Sequence, residues 1–164
     1  MTTGKKIFIG ILVILAGITA STAAACMFDI MRVQGGTMSP AINGGSHVLI
    51  NRMAYFFSSP DYGDVVACPC QVYSEDGEGS VLLRRVAAIE GDTVAIRDGN
   101  LYINGKIYSA YAEKGVCLDD MPEITVEKNR VFVVSDKGQA VLDSRDPAVG
   151  QPSKSELAGR VLFK

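Results

Sequence analysis

The chain has 164 residues, 48% of them apolar, with 16 Lys+Arg against 18 Asp+Glu. That is enough apolar chain for one compact domain and too much for disorder. Near-neutral charge without a Lys/Arg-rich run excludes the electrostatic footprint of a nucleic-acid binder.

Residues 1–6 form a short polar tail that ends in Lys5 and Lys6. From Ile7 to Phe28 no side chain is charged at neutral pH, and a helix of this length crosses roughly 30 Å of hydrocarbon. Lysines before such a segment favour keeping the tail in the cytoplasm, which places residues 29–164 on the extracellular side of the cell membrane. The expected organisation is thus a cytoplasmic tail (1–6), a transmembrane anchor (7–28) and an exported domain (29–164). The competing reading is a removable signal sequence, resting on the small residues Ala23-Ala24-Ala25 before Cys26. Against it, the apolar run exceeds the ~7–15 residues of a signal core.

After the anchor, β-rich runs recur between turn signals. They are His47–Asn51, Asp64–Cys70, Ser80–Ile89, Thr93–Arg97, Leu101–Ile103 and Arg130–Ser135. Asp98-Gly99-Asn100 and Asn104-Gly105 read as hairpin turns, the second as a two-residue turn with positive φ, and Asp76-Gly77-Glu78-Gly79 as another. Helical periodicity is nearly absent, so the fold class is all-β, an antiparallel barrel or sandwich with one N-terminal transmembrane helix. Cys68 and Cys70 share a strand face, and Cys117 falls in a loop-like stretch; free thiols are expected, with a disulfide as the alternative. Cys-Pro-Cys has no second half, and neither a metal nor a cofactor is expected. The trio Tyr55-Phe56-Phe57 reads either as an aromatic dip into lipid headgroups or as buried strand.

Four stretches, in order, resemble the type I signal peptidases, membrane-anchored serine proteases of all-β fold with a Ser nucleophile and a Lys base. They are Val33-Gln34-Gly35-Gly36-Thr37-Met38-Ser39-Pro40, Tyr62-Gly63-Asp64-Val65-Val66, Leu83-Arg84-Arg85-Val86-Ala87-Ala88-Ile89-Glu90-Gly91-Asp92, and Ser135-Asp136 through Asp143-Ser144-Arg145. Gly150 and the ending Leu157–Phe163 fit as well. The resemblance implies that Thr37 stands at the nucleophile and Arg84 at the base. It places Gly35, Gly36, Met38, Pro40 and Val141 along the groove. Gly63, Asp64, Arg85, Gly91, Asp92, Asp136, Asp143, Ser144 and Arg145 become the turns and ion pairs that support it.

The departures fall on the chemistry. Threonine keeps a hydroxyl but stiffens χ1 and crowds its approach. A lysine serves as base because burial lowers its pKa by ~3–5 from about 10.4. Arginine starts near ~12.5–13.8, and from the upper value holding it neutral at pH 7 costs about 9 kcal/mol. The serine that orients the family lysine aligns with Val141, which neither donates nor accepts. Ser135 replaces a glycine, and Lys137 and Gly138 stand where the family has Asn and Arg.

The resemblance therefore implies a non-catalytic signal-peptidase-like protein that binds exported precursors such as pilins beside the bilayer. It is similar to the altered-dyad proteins linked to pilus assembly in Gram-positive bacteria. The alternative is an active signal peptidase with Thr37 as nucleophile and an unconventional base, for which Lys137 is the first candidate. His47, the single histidine, reads as a surface residue, and Ser39 is a second possible nucleophile. A related autoproteolytic repressor domain is opposed by the membrane segment.

Overall fold

The computed structural model describes residues 3–70, 80–112, 116–138 and 142–163. Helix α1 (Thr3–Met27) runs directly into strand β1 (Phe28–Arg32), and β2 (His47–Asn51), α2 (Ala54–Phe57) and β3 (Val65–Cys70) follow. Next come β4 (Ser80–Ile89), β5 (Thr93–Arg97), β6 (Asn100–Ile103) and β7 (Lys106–Ile107). The chain then forms α3 (Ser109–Ala112), β8 (Met121–Thr125), β9 (Val131–Val134) and β10 (Gly159–Phe163).

The 25 residues of α1 span roughly 37 Å, and its large apolar side chains, Ile7 to Ile18, face outward with no protein surface against them. By length and composition Gly4–Met27 is apolar enough to cross a membrane. A backbone hydrogen bond from Arg52 N–H to the Met27 carbonyl (2.9 Å) seats the segment after β2 against the end of this helix.

The strands form two antiparallel sheets, ordered β1-β2-β10-β3-β4-β9 and β7-β6-β5-β8. At β9 the large sheet is buried on both faces, which explains why this strand reads Val-Phe-Val-Val without alternation. Phe132 and Val134 pack with Val94, Ile96, Leu101 and Val126 of the small-sheet side. Val131 and Val133 pack the other way, with Tyr55, Val66 and Leu157. A third cluster, Val33, Met38, Ile42, Val48, Ile50, Ala67 and Leu83, lies under the loop between β1 and β2. Each cluster is continuous apolar burial, the dominant stabilising term in a domain of this size.

The turns have local chemical causes. Asn104-Gly105 closes β6 onto β7 with φ of 50° and 72°, the left-handed pair that a two-residue turn of this type requires. Asp92 follows the turn at Gly91 and accepts hydrogen bonds from Ile89 N–H (2.8 Å), Asn104 Nδ2 (2.7 Å) and Tyr62 O–H (2.8 Å). Burial alone would raise this carboxyl, but the donors from Asn104, Ile89 and Tyr62 hold it below its ordinary range.

Several expectations are corrected in detail. The aromatic trio divides: Tyr55 is buried, with its O–H on Asp64 (2.9 Å), while Phe56 and Phe57 are exposed. The reason is that α2 supplies one inward direction per turn, so a three-residue aromatic run is not buried together. Strands β1, β7, β8 and β10 were not among the β-rich runs expected from the pattern. Cys26, Cys68 and Cys117 are free thiols; Cys68 and Cys70 do share the buried side of β3, where burial pushes the Cys68 thiol up to about 12. The turn expected at 76–79 lies outside the described residues.

Two outcomes follow from this packing. Phe132→Ala, at a fully buried position in the cluster between the two sheets, should cost about 3–5 kcal/mol in chemical denaturation, with the slope unchanged. Because the Asp92 pKa is lowered by folding, its contribution is complete above the unfolded value near ~3.9 and disappears as pH falls through the folded value. Asp92→Asn should therefore flatten the acid limb of a stability–pH profile; an unchanged limb would remove Asp92 from that account.

Candidate functional site

Three segments converge on Thr37. The loop between β1 and β2 is closed by Val33 N–H to Ser46 O and Gly45 N–H to Val33 O (both 2.8 Å), and Gly35 takes a positive φ of 76°. Met38 pins this loop by inserting into the core at 1% exposure, so it does not line the groove expected from its motif. The physical reason is that the loop is held to the core by apolar side chains, and Met38 is buried there with Val33 and Ile42 of the same loop. Pro40, after a cis Ser39-Pro40 bond, is exposed.

The second segment is β4, which carries Arg84 at 3% exposure. Its Nε donates to Leu142 O (2.6 Å), and its Nη1 donates to Leu83 O (2.6 Å) and to Thr37 Oγ1 (3.1 Å). No carboxylate among the described residues forms an ion pair with it. Burial lowers the Arg84 pKa from its ordinary value, and the nearby Asp143 carboxylate opposes that shift. The guanidinium remains a cation, because arginine begins so far above neutrality.

The third segment is the turn after β9. Lys137 N–H donates to the Thr37 carbonyl (3.1 Å), and the Lys137 ammonium stands 3.5 Å from where a Cβ on Gly36 would lie. Neighbouring Asp136 takes a two-pronged pair from Arg85 (2.7 Å at each oxygen), and Arg85 also donates to Gly63 O (2.8 Å). Adjacent arginines on one strand therefore do different things: Arg85 is neutralised by a carboxylate, and Arg84 is not.

Behind this surface, the fully buried Asp143 accepts from Arg145 Nε (2.8 Å) and Nη2 (2.6 Å) and from the Ser135 N–H (3.1 Å). Ser144 Oγ accepts from Val133 N–H (2.8 Å), and Tyr111 O–H donates to Ser135 O. The Ser135 hydroxyl itself is buried without a hydrogen-bond partner among the described residues. Asp64 joins Tyr55 and, at 3.5 Å, Arg160; Gly63 and Gly91 occupy turns with φ of 82° and 88°.

Other candidates lie apart from this convergence. Ser39 Oγ donates to Asn43 Oδ1 (2.8 Å), His47 is exposed at the start of β2, and Cys117 is exposed beside Gly99. Val141 lies outside the described residues. Among the described residues no group of three or more His, Cys, Asp or Glu is arranged to hold a metal ion. The backbone bridge from Lys137 to Thr37 was not foreseen; the order of the motifs suggested proximity, but a main-chain contact leaves no mark in side-chain identity.

The family model described as signal peptidase, peptidase S26 matches residues 5–164, and the chain belongs to that family. It is 27% identical over 161 residues to a signal peptidase I of Bacillus licheniformis, covering 92% of this chain and 83% of that one. It is 26% identical over 162 residues to signal peptidase I S of Bacillus subtilis, covering 92% and 84%. Thylakoidal processing peptidase 1 of Arabidopsis thaliana is 31% identical over 134 residues, covering 78% of this chain and 39% of the plant protein. A solved signal peptidase I from Enterococcus faecalis is 27% identical with a TM-score of 0.49, covering 65% of this chain and 98% of that one.

The ion pairs are expected to differ sharply in weight. Asp143→Ala strands the mostly buried Arg145 and the Ser135 N–H, and should cost about 3–5 kcal/mol in denaturant titration. Glu123→Ala, which breaks the exposed Arg97 pair, should cost less than about 1 kcal/mol. Equal costs would contradict this division.

Proposed function

We propose that this signal-peptidase-family protein is held in the cell membrane by α1, with its β-domain on the extracellular side, and that it binds exported precursors without cleaving them. The observation that carries the proposal is the direction of one hydrogen bond: Arg84 Nη1 donates to Thr37 Oγ1. A nucleophilic hydroxyl needs an acceptor to take its proton in the transition state, and a guanidinium has only donors. In this reading Thr37 and Arg84 occupy the nucleophile and base positions and do neither task.

Binding outlasts the chemistry because holding an extended chain relies on main-chain pairing and a shaped groove, not on a proton acceptor. The relatives' name, signal peptidase I, points to exported precursors as the bound class. Pilins are the precursors we assign, with assistance to pilus assembly as the role. That assignment rests on the resemblance to altered-dyad members of the family.

One observation favours a second reading, an active peptidase with Thr37 as nucleophile: the Lys137 ammonium lies over Gly36, next to Thr37. Against it, Lys137 is solvent-exposed, whereas a lysine that works as a base at neutral pH requires burial.

The test is incubation of full-length protein in liposomes with a signal-peptide-bearing pilin precursor, beside an authentic signal peptidase. The expected result is saturable binding with no cleavage by the wild type, and cleavage emerging in a Thr37→Ser, Arg84→Lys double variant. Wild-type cleavage that vanishes in both Thr37→Ala and Lys137→Met would establish the second reading. Normal pili in a deletion strain would remove the assembly role.

A further inference from the structure

The hydrogen-bond inventory around Thr37 is one-sided. Arg84 is almost fully buried, yet only its Nε and Nη1 have protein acceptors, all of them neutral oxygens. Its Nη2 has no acceptor among the described residues and is not sealed from solvent. Because Thr37 Oγ1 receives a hydrogen bond from Arg84, the Thr37 O–H is left to donate outward. The Lys137 ammonium stands over Gly36 on the same ledge and forms no ion pair among the described residues. Arg84 and Thr37 are hydrogen-bonded to one another, the Lys137 ammonium lies 3.5 Å from a Cβ position on the adjoining Gly36, and neither cation has an ion-pair partner among the described residues, the nearby Asp143 being taken by Arg145.

We propose that this ledge is a carboxylate-binding site, and that its occupant is the carboxylate of an extended peptide whose chain ends at Thr37. The inference deepens the holder reading above and rests on it for the peptide. A buried cation is costly to leave uncompensated, and Nη2, the one guanidinium nitrogen not committed to Leu142, Leu83 or Thr37, can meet one carboxylate oxygen in a charge-assisted hydrogen bond. Thr37 O–H and the Lys137 ammonium supply the second and third contacts. Exchanging a lysine for an arginine at this position therefore replaces a proton acceptor with an anion receptor. The favoured ligand changes from a chain running through the site to a chain that terminates in it.

The carboxylate has two sources, a peptide C-terminus or an Asp or Glu side chain, and the experiment separates them. Full-length protein in detergent micelles is titrated with a short N-terminally labelled Ala/Val/Ser peptide in three forms: free acid, C-terminal amide, and amide carrying one internal Glu. The expected result is at least ~10-fold tighter binding of the free acid than of the plain amide. The preference should weaken with salt, disappear in Arg84→Met, shrink in Lys137→Met and persist in part in Arg84→Lys. Tight binding of the Glu-bearing amide in place of the free acid would keep the carboxylate site and overturn the terminal assignment. Equal binding of acid and plain amide by the wild type, or a preference that survives Arg84→Met, would overturn the site while leaving the holder reading intact.

Acetate provides the independent arm. It should raise the thermal midpoint of the wild type relative to acetamide at matched ionic strength, and do so less in Arg84→Met. If no peptide binds but acetate still discriminates, the holder reading fails and the anion site stands. If acetate and acetamide act alike on both variants, the site is refuted. Circular dichroism of each variant confirms that a lost preference reflects a lost contact and not an unfolded chain.

Discussion

Everything at the centre of this molecule turns on a guanidinium that has no carboxylate of its own. Arg84 is held by the carbonyls of Leu83 and Leu142 and by the Thr37 hydroxyl, three neutral oxygens at 2.6, 2.6 and 3.1 Å. Neutral acceptors satisfy donors without cancelling charge, so the positive charge beside Thr37 persists. The surrounding fold is consistent with this. Asp143 lies near enough to oppose the desolvation of Arg84, but both its oxygens are engaged by Arg145. Asp136 is likewise committed to Arg85. Both of these carboxylates are spent on structure, and the Arg84 cation beside Thr37 is left without an ion pair among the described residues.

The same division shows in the rest of the site. The supports are local and self-contained: Asp92 is satisfied by Ile89, Asn104 and Tyr62, Asp64 by Tyr55, and Ser144 by Val133. None of them depends on what residue 37 or residue 84 does. Changing a lysine to an arginine keeps a long cationic side chain in a buried slot, so the β4 backbone and its neighbours need little adjustment. In the proposed reading, arginine at the base position is mild for folding and severe for proton transfer, because the intrinsic basicity of the guanidinium sets the barrier.

How much of this could be read from residues alone follows from where the signals lie. Strands β2, β4 and β5 were legible to the residue, since each is bounded by turn chemistry and rich in branched apolar residues. Strand β1 was hidden because Phe28–Arg32 continues an apolar helix without a break and leaves Ile30 exposed on a sheet edge. Strand β8 was hidden because Met121-Pro122-Glu123-Ile124-Thr125 carries a proline and a charge on an edge strand that is only half covered. At the site, motif order put Thr37, Arg84 and the Ser135–Arg145 stretch in one neighbourhood. It did not reveal that Met38 turns inward as the loop's anchor, or that the Lys137 backbone grips the Thr37 carbonyl, since both depend on three-dimensional closure of the loop.

The account depends on Arg84 remaining a charged donor, and the most direct check is side-chain carbon and nitrogen NMR of the Arg84 guanidinium, assigned with Arg84→Lys, in full-length protein across a pH series. A guanidinium that stays protonated and slow to rotate from neutral pH to about pH 10 is the result required here, since arginine begins near ~12.5–13.8. Deprotonation with a midpoint below about pH 9 would make Arg84 a credible base for Thr37 and contradict the central claim.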